Sequence, residues 1–376
     1  MEFIDLKKQY GLYQEELEEA ALKVLRSGRY ILGPEVKELE EKLADFVGVK
    51  YALGVSSGTD ALLLILKALE LGPQDAIITT PFTFVATAEV IRRVGARVIF
   101  ADIDPKTFLL SPETLAEALE KARKKGLRIR AVIAVSLFGL PAYLPELEAF
   151  CEKEGLFLIE DACQSLGAEC KGRKSGSFGI ASATSFFPAK PLGAYGDAGM
   201  VFTNDETLYH KIEALRVHGQ TERYLHQYQG LNARLDTLQA ALLLVKLKYY
   251  SREIELRQKV AQRYRKYLED LPVEFQSIPE GCRSVYAQFT LRIPKRDDLV
   301  KFLAERDIPT AIHYPRPLHL QPAFKELGYH QGDFPQAEKL AQEVISLPMH
   351  PFLERGDQGK IAEAIGAFYG SNFRKD

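Results

Sequence analysis

The sequence predicts an α/β protein, with a large domain on a mostly parallel sheet followed by a smaller α+β domain. Three observations carry that expectation. Short β-branched runs alternate with amphipathic helical patterns over residues 35–202. A long charged helical run follows at Thr237–Leu268, and beyond it strand and helix patterns mix. With 376 residues, the chain is too long for one compact core and long enough for two.

In chain order, the segment to about Gly33 precedes the first βα unit and is expected to pack on the small domain. Candidate strands are 52–55, 76–79, 97–101, 131–135 and 156–160. Between them, 60–71 and 145–154 repeat apolar residues every three or four positions, which marks helices. This βαβ rhythm argues for a parallel sheet with helices on both faces. The run Thr237–Leu268 exceeds a typical globular helix and is expected to bridge the domains, and 285–293 alternates as a strand does. The expected division is a large domain over 1–245 and a small one over 246–376.

Composition narrows the function. Lys and Arg number 49 against 51 for Asp and Glu, a net charge of −2, so no global field draws the chain onto nucleic acid or membrane. An anionic ligand therefore needs a local site. Cys151, Cys163, Cys170 and Cys282 form no CxxC pair and have no histidines at zinc spacing, so no metal is expected. Read as scattered free thiols, with no leader pattern at the start and no apolar run of membrane length, they predict a cytoplasmic protein.

Chemistry concentrates in three segments. The apolar run 156–159 ends in Glu160 and Asp161, and ligands of open α/β sheets bind beyond the carboxyl ends of strands. A lone Asp there is usually a helix cap. Its functional reading is a partner for a protonated pyridine nitrogen, with Gln164 facing the same side. Lys190 follows Ser185, Phe186, Phe187, Pro188 and Ala189 and precedes Pro191 and Leu192. A lysine so enclosed is expected to be buried, which favours the neutral amine that Schiff-base chemistry needs. The bland alternative is a loop lysine whose ammonium reaches solvent. Third, Ser56-Ser57-Gly58-Thr59-Asp60 runs from strand into helix, where exposed amides suit a phosphate. Gly58, Thr59, the Asp60 amide and Ser185 are the expected donors, although a plain N-cap explains the segment alone equally well. Phe84, after another strand end, is expected to stack on a ring. There is no GxxxxGK[ST] and no GxGxxG. Lysine, carboxylate and phosphate cradle together indicate pyridoxal 5'-phosphate (PLP).

These segments occur in a fixed order with Arg216-Val217-His218-Gly219, with the run from Asn232 to Ala241, and with His313-Tyr314-Pro315. The whole resembles the DegT-type sugar aminotransferases, a branch of the fold-type I (aspartate aminotransferase-like) PLP-dependent transferases. The resemblance implies a homodimer with shared active sites, in which Asn232 reaches the partner's cofactor phosphate and Arg234 enters the neighbouring site. It also implies that Tyr30, Tyr195, His313 and Tyr314 contact substrate. Lys190, where some relatives carry His and act as dehydratases, implies transamination between L-glutamate/2-oxoglutarate and a nucleotide-linked keto-sugar, through pyridoxamine phosphate. The segments 185–197, 284–288 and 346–351 are similar to those of enzymes that aminate a 3-keto UDP-N-acetylglucosaminuronate for surface polysaccharide (O-antigen) synthesis. Arg234 with His313 would then supply a cation for the uronate carboxylate. The alternatives are a 3-keto or 4-keto dTDP-deoxysugar as substrate, another PLP reaction outcome, and a non-catalytic PLP-fold regulator.

Overall fold

Five strands of the large sheet fall on the expected runs, and two more, at Ala181–Ser185 and Gly199–Thr203, join them without being among the candidates. In the computed structural model, which describes residues 1–141 and 143–370, the first nine are β1 (Tyr51–Val55), β2 (Ala76–Thr79), β3 (Arg97–Phe100), β4 (Ile129–Val135), β5 (Phe157–Asp161), β6 (Glu169–Cys170), β7 (Arg173–Lys174), β8 (Ala181–Ser185) and β9 (Gly199–Thr203). Then come β10 (Gln220–Glu222), β11 (Leu225–His226), β12 (Glu274–Phe275), β13 (Cys282–Arg283), β14 (Phe289–Arg292) and β15 (Val344–Leu347). Seven of them form one sheet in the order β1-β9-β8-β5-β4-β2-β3. The neighbours from β8 to β3 pair in parallel, and β9 runs antiparallel to both β8 and β1. The carboxyl ends of β1, β2, β4, β5 and β8 therefore share one edge of the sheet.

Helices cover both faces, as parallel strands buried on both sides require. The helix Gly58–Ala68 starts two residues earlier than the periodicity alone indicates, because Ser57 caps it by accepting from the Asp60 amide. The helix Leu144–Glu154 and the long helix Thr237–Leu268 match the expected ranges closely. The first helix, Leu6–Ser27, lies along the long one, with Leu17 packed on Leu242 and Val245. There the buried Glu253 carboxylate accepts from Gln9 Nε2 at 3.0 and 2.9 Å and from Tyr13 OH at 2.9 Å. The N-terminal segment also meets the far end of the chain. Met349 N donates to Phe3 O at 3.1 Å, and Lys8 pairs with Glu354 at 2.9 Å.

A second sheet, β12-β14-β15, packs with the latter half of the long helix around Tyr264, Leu291 and Leu347. The expected strand 285–293 is shortened to Phe289–Arg292. Val285 N and Ala287 N donate instead to Gly139 O and Phe138 O, so this stretch pairs with a turn beside the large sheet. Leu318 and Phe324 join the core of that large sheet.

The reading of four free thiols is corrected. Cys170 and Cys282 form a disulfide, while Cys151 and Cys163 are free. Antiparallel pairing of β6 with β13 sets the two residues opposite each other across 112 positions of sequence. Linear spacing carries no trace of that pairing. Among the described residues no helix is long and apolar enough to cross a membrane, and no group of three His, Cys, Asp or Glu could hold a metal ion.

Candidate active site

A cavity of about 490 Å³ opens at the shared carboxyl edge of the large sheet. Asp161, at the end of β5, is buried in its floor. Its Oδ2 accepts from Thr87 Oγ1 at 2.7 Å and its Oδ1 from Cys163 N at 3.2 Å. Glu160 points to the opposite face, as alternation along a strand dictates. There it accepts from Ser136 Oγ (3.0 Å), Gly176 N (2.8 Å) and Ser175 Oγ, and burial pushes its carboxyl up to about 7.

Gln164 is fixed at both ends of its amide. Its Oε1 accepts from Phe138 N at 2.7 Å, and its Nε2 donates to Tyr314 OH at 3.3 Å. Burial raises the Tyr314 phenol, which remains a hydrogen-bonding hydroxyl at neutral pH. Phe84 stands at the rim, 55% exposed, its ring 6.2 Å from that of Tyr314.

Opposite Asp161 lies the turn from β1 into its helix. Gly58 and Thr59 line the cavity, as does Ser185 at the end of β8. A Cβ on Gly58 would lie 2.7 Å from Cys163 Sγ and 2.8 Å from Ser185 Cβ, so glycine alone allows this approach. Gly199 closes the turn from behind, since a Cβ there would sit 2.3 Å from the Ser57 carbonyl carbon. Asp60 takes another part than expected. Its amide is engaged by the Ser57 cap, its carboxylate accepts from Ser56 Oγ at 2.5 Å, and it does not line the cavity.

Lys190 lines the cavity, and its enclosure is less than the flanking residues imply. Phe186 and Leu192 are buried in the core beneath the loop, whereas Phe187 is 53% exposed and Lys190 is half-buried. The loop buries Phe186 at one end and Pro191 and Leu192 at the other, and leaves the lysine between them facing the cavity. His313 completes this side of the cavity, with Nδ1 2.9 Å from Ser346 Oγ. Burial first, and the nearby Lys190 charge second, lower the His313 imidazole from its ordinary value.

Four other expected residues stay outside the cavity of their own chain. Asn232 is exposed and bridged to Val217, and Arg234 is bridged to Val55 with a buried Nε that has no partner among the described residues. Tyr30 is exposed and donates to Leu25 O at 3.0 Å. Tyr195 lies over Lys246 Nζ, its amide donating to Gln239 Oε1 at 2.8 Å.

Sequence reasoning missed Phe3, Ile4, Thr87 and Gln288. Phe3 and Ile4 form a wall of the cavity, with the Phe3 ring 6.3 Å from that of His313. Thr83, before the helix Ala86–Arg93, and Thr87, within it, stand four residues apart with 3.3 Å between hydroxyls, a spacing that could have pointed to Thr87. Gln288 lines the cavity with an Oε1 that has no partner among the described residues, and its signal is a lone amide among Val285, Ala287 and Phe289.

The residues present suit a cofactor that has a phosphate at one end and a carbonyl at the other. The glycine-only approach at a helix N-terminus leaves room and amides for an anion, and Lys190 and Asp161 face the same space. Fold and site define a PLP-dependent transferase. The chain belongs to the DegT/DnrJ/EryC1/StrS aminotransferase family, which matches residues 12–366. It is 46% identical over 365 residues to the UDP-2-acetamido-2-deoxy-3-oxo-D-glucuronate aminotransferase of Pseudomonas aeruginosa, covering 97% of this chain and 99% of that one. The crystal structure of a DegT DnrJ EryC1 StrS aminotransferase from Brucella abortus superposes with a TM-score of 0.96 at 43% identity, over 99% of this chain and 100% of the other. The sugar aminotransferase homologue Spr1654 from Streptococcus pneumoniae, in its pyridoxamine-phosphate form, gives 0.88 at 26% identity over 94% of each chain.

Proposed function

We propose that this chain transfers the amino group of glutamate to the 3-keto carbon of UDP-2-acetamido-2-deoxy-3-oxo-glucuronate, releasing the 3-amino sugar nucleotide for surface polysaccharide synthesis. The observation that carries the reading is the 46% identity to the P. aeruginosa enzyme along 97% of this chain and 99% of that one.

When bound, PLP supplies an electron sink that stabilises a carbanion. The chain's own residues supply the rest. Lys190 Nζ holds the cofactor and, once freed, takes up and returns the proton of the reacting carbon. Asp161, held by Thr87 and the Cys163 amide, would hold the pyridine nitrogen. Gly58, Thr59 and Ser185 would receive the phosphate, and Gln164 and Phe84 would hold the ring. Phe3 and Ile4, on the cavity wall, would keep water from the reacting carbon. His313 and Tyr314 face the sugar.

The reading includes a homodimer with shared sites. Asn232 is free to reach a partner, and Tyr30, Ile31, Leu32, Phe187, Tyr224 and Leu225 expose apolar surface of the kind that a second copy covers. Arg234 would enter the partner's cavity, and Tyr30 and Tyr195 would contact substrate. The reading also keeps 1–245 and 246–376 as its two units, divided within the long helix, and a cytoplasmic location. Cytosolic disulfides, where they occur, are mostly transient.

The test is an absorption spectrum recorded before and after adding glutamate. A visible band of lysine-bound cofactor that gives way to the near-ultraviolet band of its amine form establishes the first half-reaction. Recovery of the band with the 3-keto UDP-uronate, and not with 3-keto or 4-keto dTDP-deoxysugars, establishes the substrate. A protein that binds PLP yet ignores glutamate would point to the regulator or to another PLP reaction.

A further inference from the structure

His313 is the cavity residue whose chemical form the surroundings decide. Its Nδ1 lies 2.9 Å from Ser346 Oγ, and Ser346 Oγ lies 2.7 Å from Thr290 Oγ1. Thr290 and Ser346 are register partners across β14 and β15, so their hydroxyls meet on one face of the small sheet. Both are buried, and among the described residues Thr290 Oγ1 has no other hydrogen-bond partner. The three groups form a closed chain that ends at Thr290.

Counting protons decides its direction. Each hydroxyl carries one hydrogen, which needs an acceptor when buried. Suppose that Thr290 donates to Ser346 and Ser346 donates to Nδ1. Both hydroxyl hydrogens are then satisfied, and the imidazole proton sits on Nε2. Suppose instead that Nδ1 carries a proton and donates to Ser346. Ser346 must then donate to Thr290, and the buried Thr290 hydroxyl hydrogen is left with nothing to bond. The same orphan appears in the imidazolium, which has protons on both nitrogens. The chain disfavours both forms that protonate Nδ1.

From this geometry we infer that Ser346, backed by Thr290, is a positioning residue that holds His313 as a neutral imidazole presenting an Nε2–H donor to the cavity. Among the described residues Nε2 bonds no protein atom, and it faces the space lined by Lys190 and Phe3. Of the titratable neighbours, Lys190 acts on His313 directly, and Asp161 lies beyond Tyr314. An Nε2–H seeks an acceptor lone pair, which on a sugar substrate is an oxygen of a carboxylate, ketone or hydroxyl. The inference rests on the sugar-facing role proposed above and sharpens it. A neutral His313 contributes a hydrogen bond and no charge, so the cation for a uronate carboxylate falls to Arg234 alone.

The test is nitrogen-15 NMR of the PLP-loaded full chain labelled at histidine, with His313 assigned by its loss in His313→Gln. The wild-type protein at pH 7.5 is expected to show a protonated Nε2 and a bare Nδ1. In Ser346→Ala the Nδ1 shift moves towards a tautomer mixture, and kcat/KM in the keto-sugar half-reaction falls about tenfold, the worth of one hydrogen bond. A protonated Nδ1 in the wild-type protein, as tautomer or imidazolium, overturns the inference. The tautomer is read without substrate, so a wrong sugar would leave this result standing while the half-reaction alone fails.

Discussion

Thr87 Oγ1 donates a 2.7 Å hydrogen bond to Asp161 Oδ2, joining the helix Ala86–Arg93 to the end of the central strand β5. With the Cys163 amide on the other oxygen, both sides of the carboxylate are held before any ligand arrives. Thr87→Val keeps the shape and removes the hydroxyl. The expected result is a loss of stability of about 1 kcal/mol and a several-fold weaker PLP affinity, read by absorbance titration. Thr87→Ser should bind as the wild-type chain does. Equal PLP affinity in Thr87→Val would remove Thr87 from the site.

Lys190→Ala is expected to fold normally, because a half-buried side chain that packs little can be removed without opening a core cavity. Steady-state turnover should vanish, and the visible band of lysine-bound cofactor should be absent while circular dichroism is unchanged. Turnover at the wild-type rate would end the assignment of Lys190.

Gly58→Ala brings a methyl group to 2.7 Å from Cys163 Sγ and 2.8 Å from Ser185 Cβ, with the Ser185 Cα, which cannot turn away, at 3.3 Å. Overpacking of this kind typically costs about 1–3 kcal/mol. The displaced turn should also lose phosphate affinity. A thermal melt with and without PLP reads both effects, and a variant whose melting temperature rises with PLP as much as the wild-type chain's does would show that this turn is not the cradle.

His350 is buried with an unpartnered Nδ1, and burial, followed by the Arg257 charge, lowers its imidazole from 6.5 to about 4. Between those values the unfolded chain binds a proton that the folded chain refuses. Stability from this group is therefore complete above pH 6.5 and is lost as pH falls through that window, by about 3 kcal/mol in all. His350→Leu should flatten the acid limb of a plot of melting temperature against pH and leave the value at pH 7.5 the same or higher. An unchanged acid limb would show that His350 is not buried neutral.

The large sheet was legible where its strands are continuous apolar runs, as at 76–79, and where its helices keep a 3.6-residue period, as Thr237–Leu268 does. In contrast, β8, which reads Ala-Ser-Ala-Thr-Ser, and β9 were not anticipated. Segments whose pairing partner lies far away in sequence were not legible. Cys282 looks unremarkable until β13 sets it against Cys170, and 285–288 alternates like a strand yet bonds the turn at Phe138 and Gly139. At the site, Asp161, Lys190 and Gly58 announce themselves through local chemistry at strand ends. Phe3 cannot, since its place depends on Met349 at the other end of the chain. The enclosure of Lys190 was overread, because apolar neighbours in sequence reveal nothing about which way each side chain turns.

The hydrogen bond from Met349 to Phe3 also bears on the timetable of synthesis. A ribosome delivers Gly58, Asp161 and Lys190 while more than a third of the chain is still unmade, and domains tend to fold as they emerge. The wall formed by Phe3 and His313 has no anchor until β15 and Met349 have left the exit tunnel. A nascent chain would therefore hold its cofactor pocket early and its substrate wall last, so a stalled or truncated product could sequester PLP without turning over any sugar.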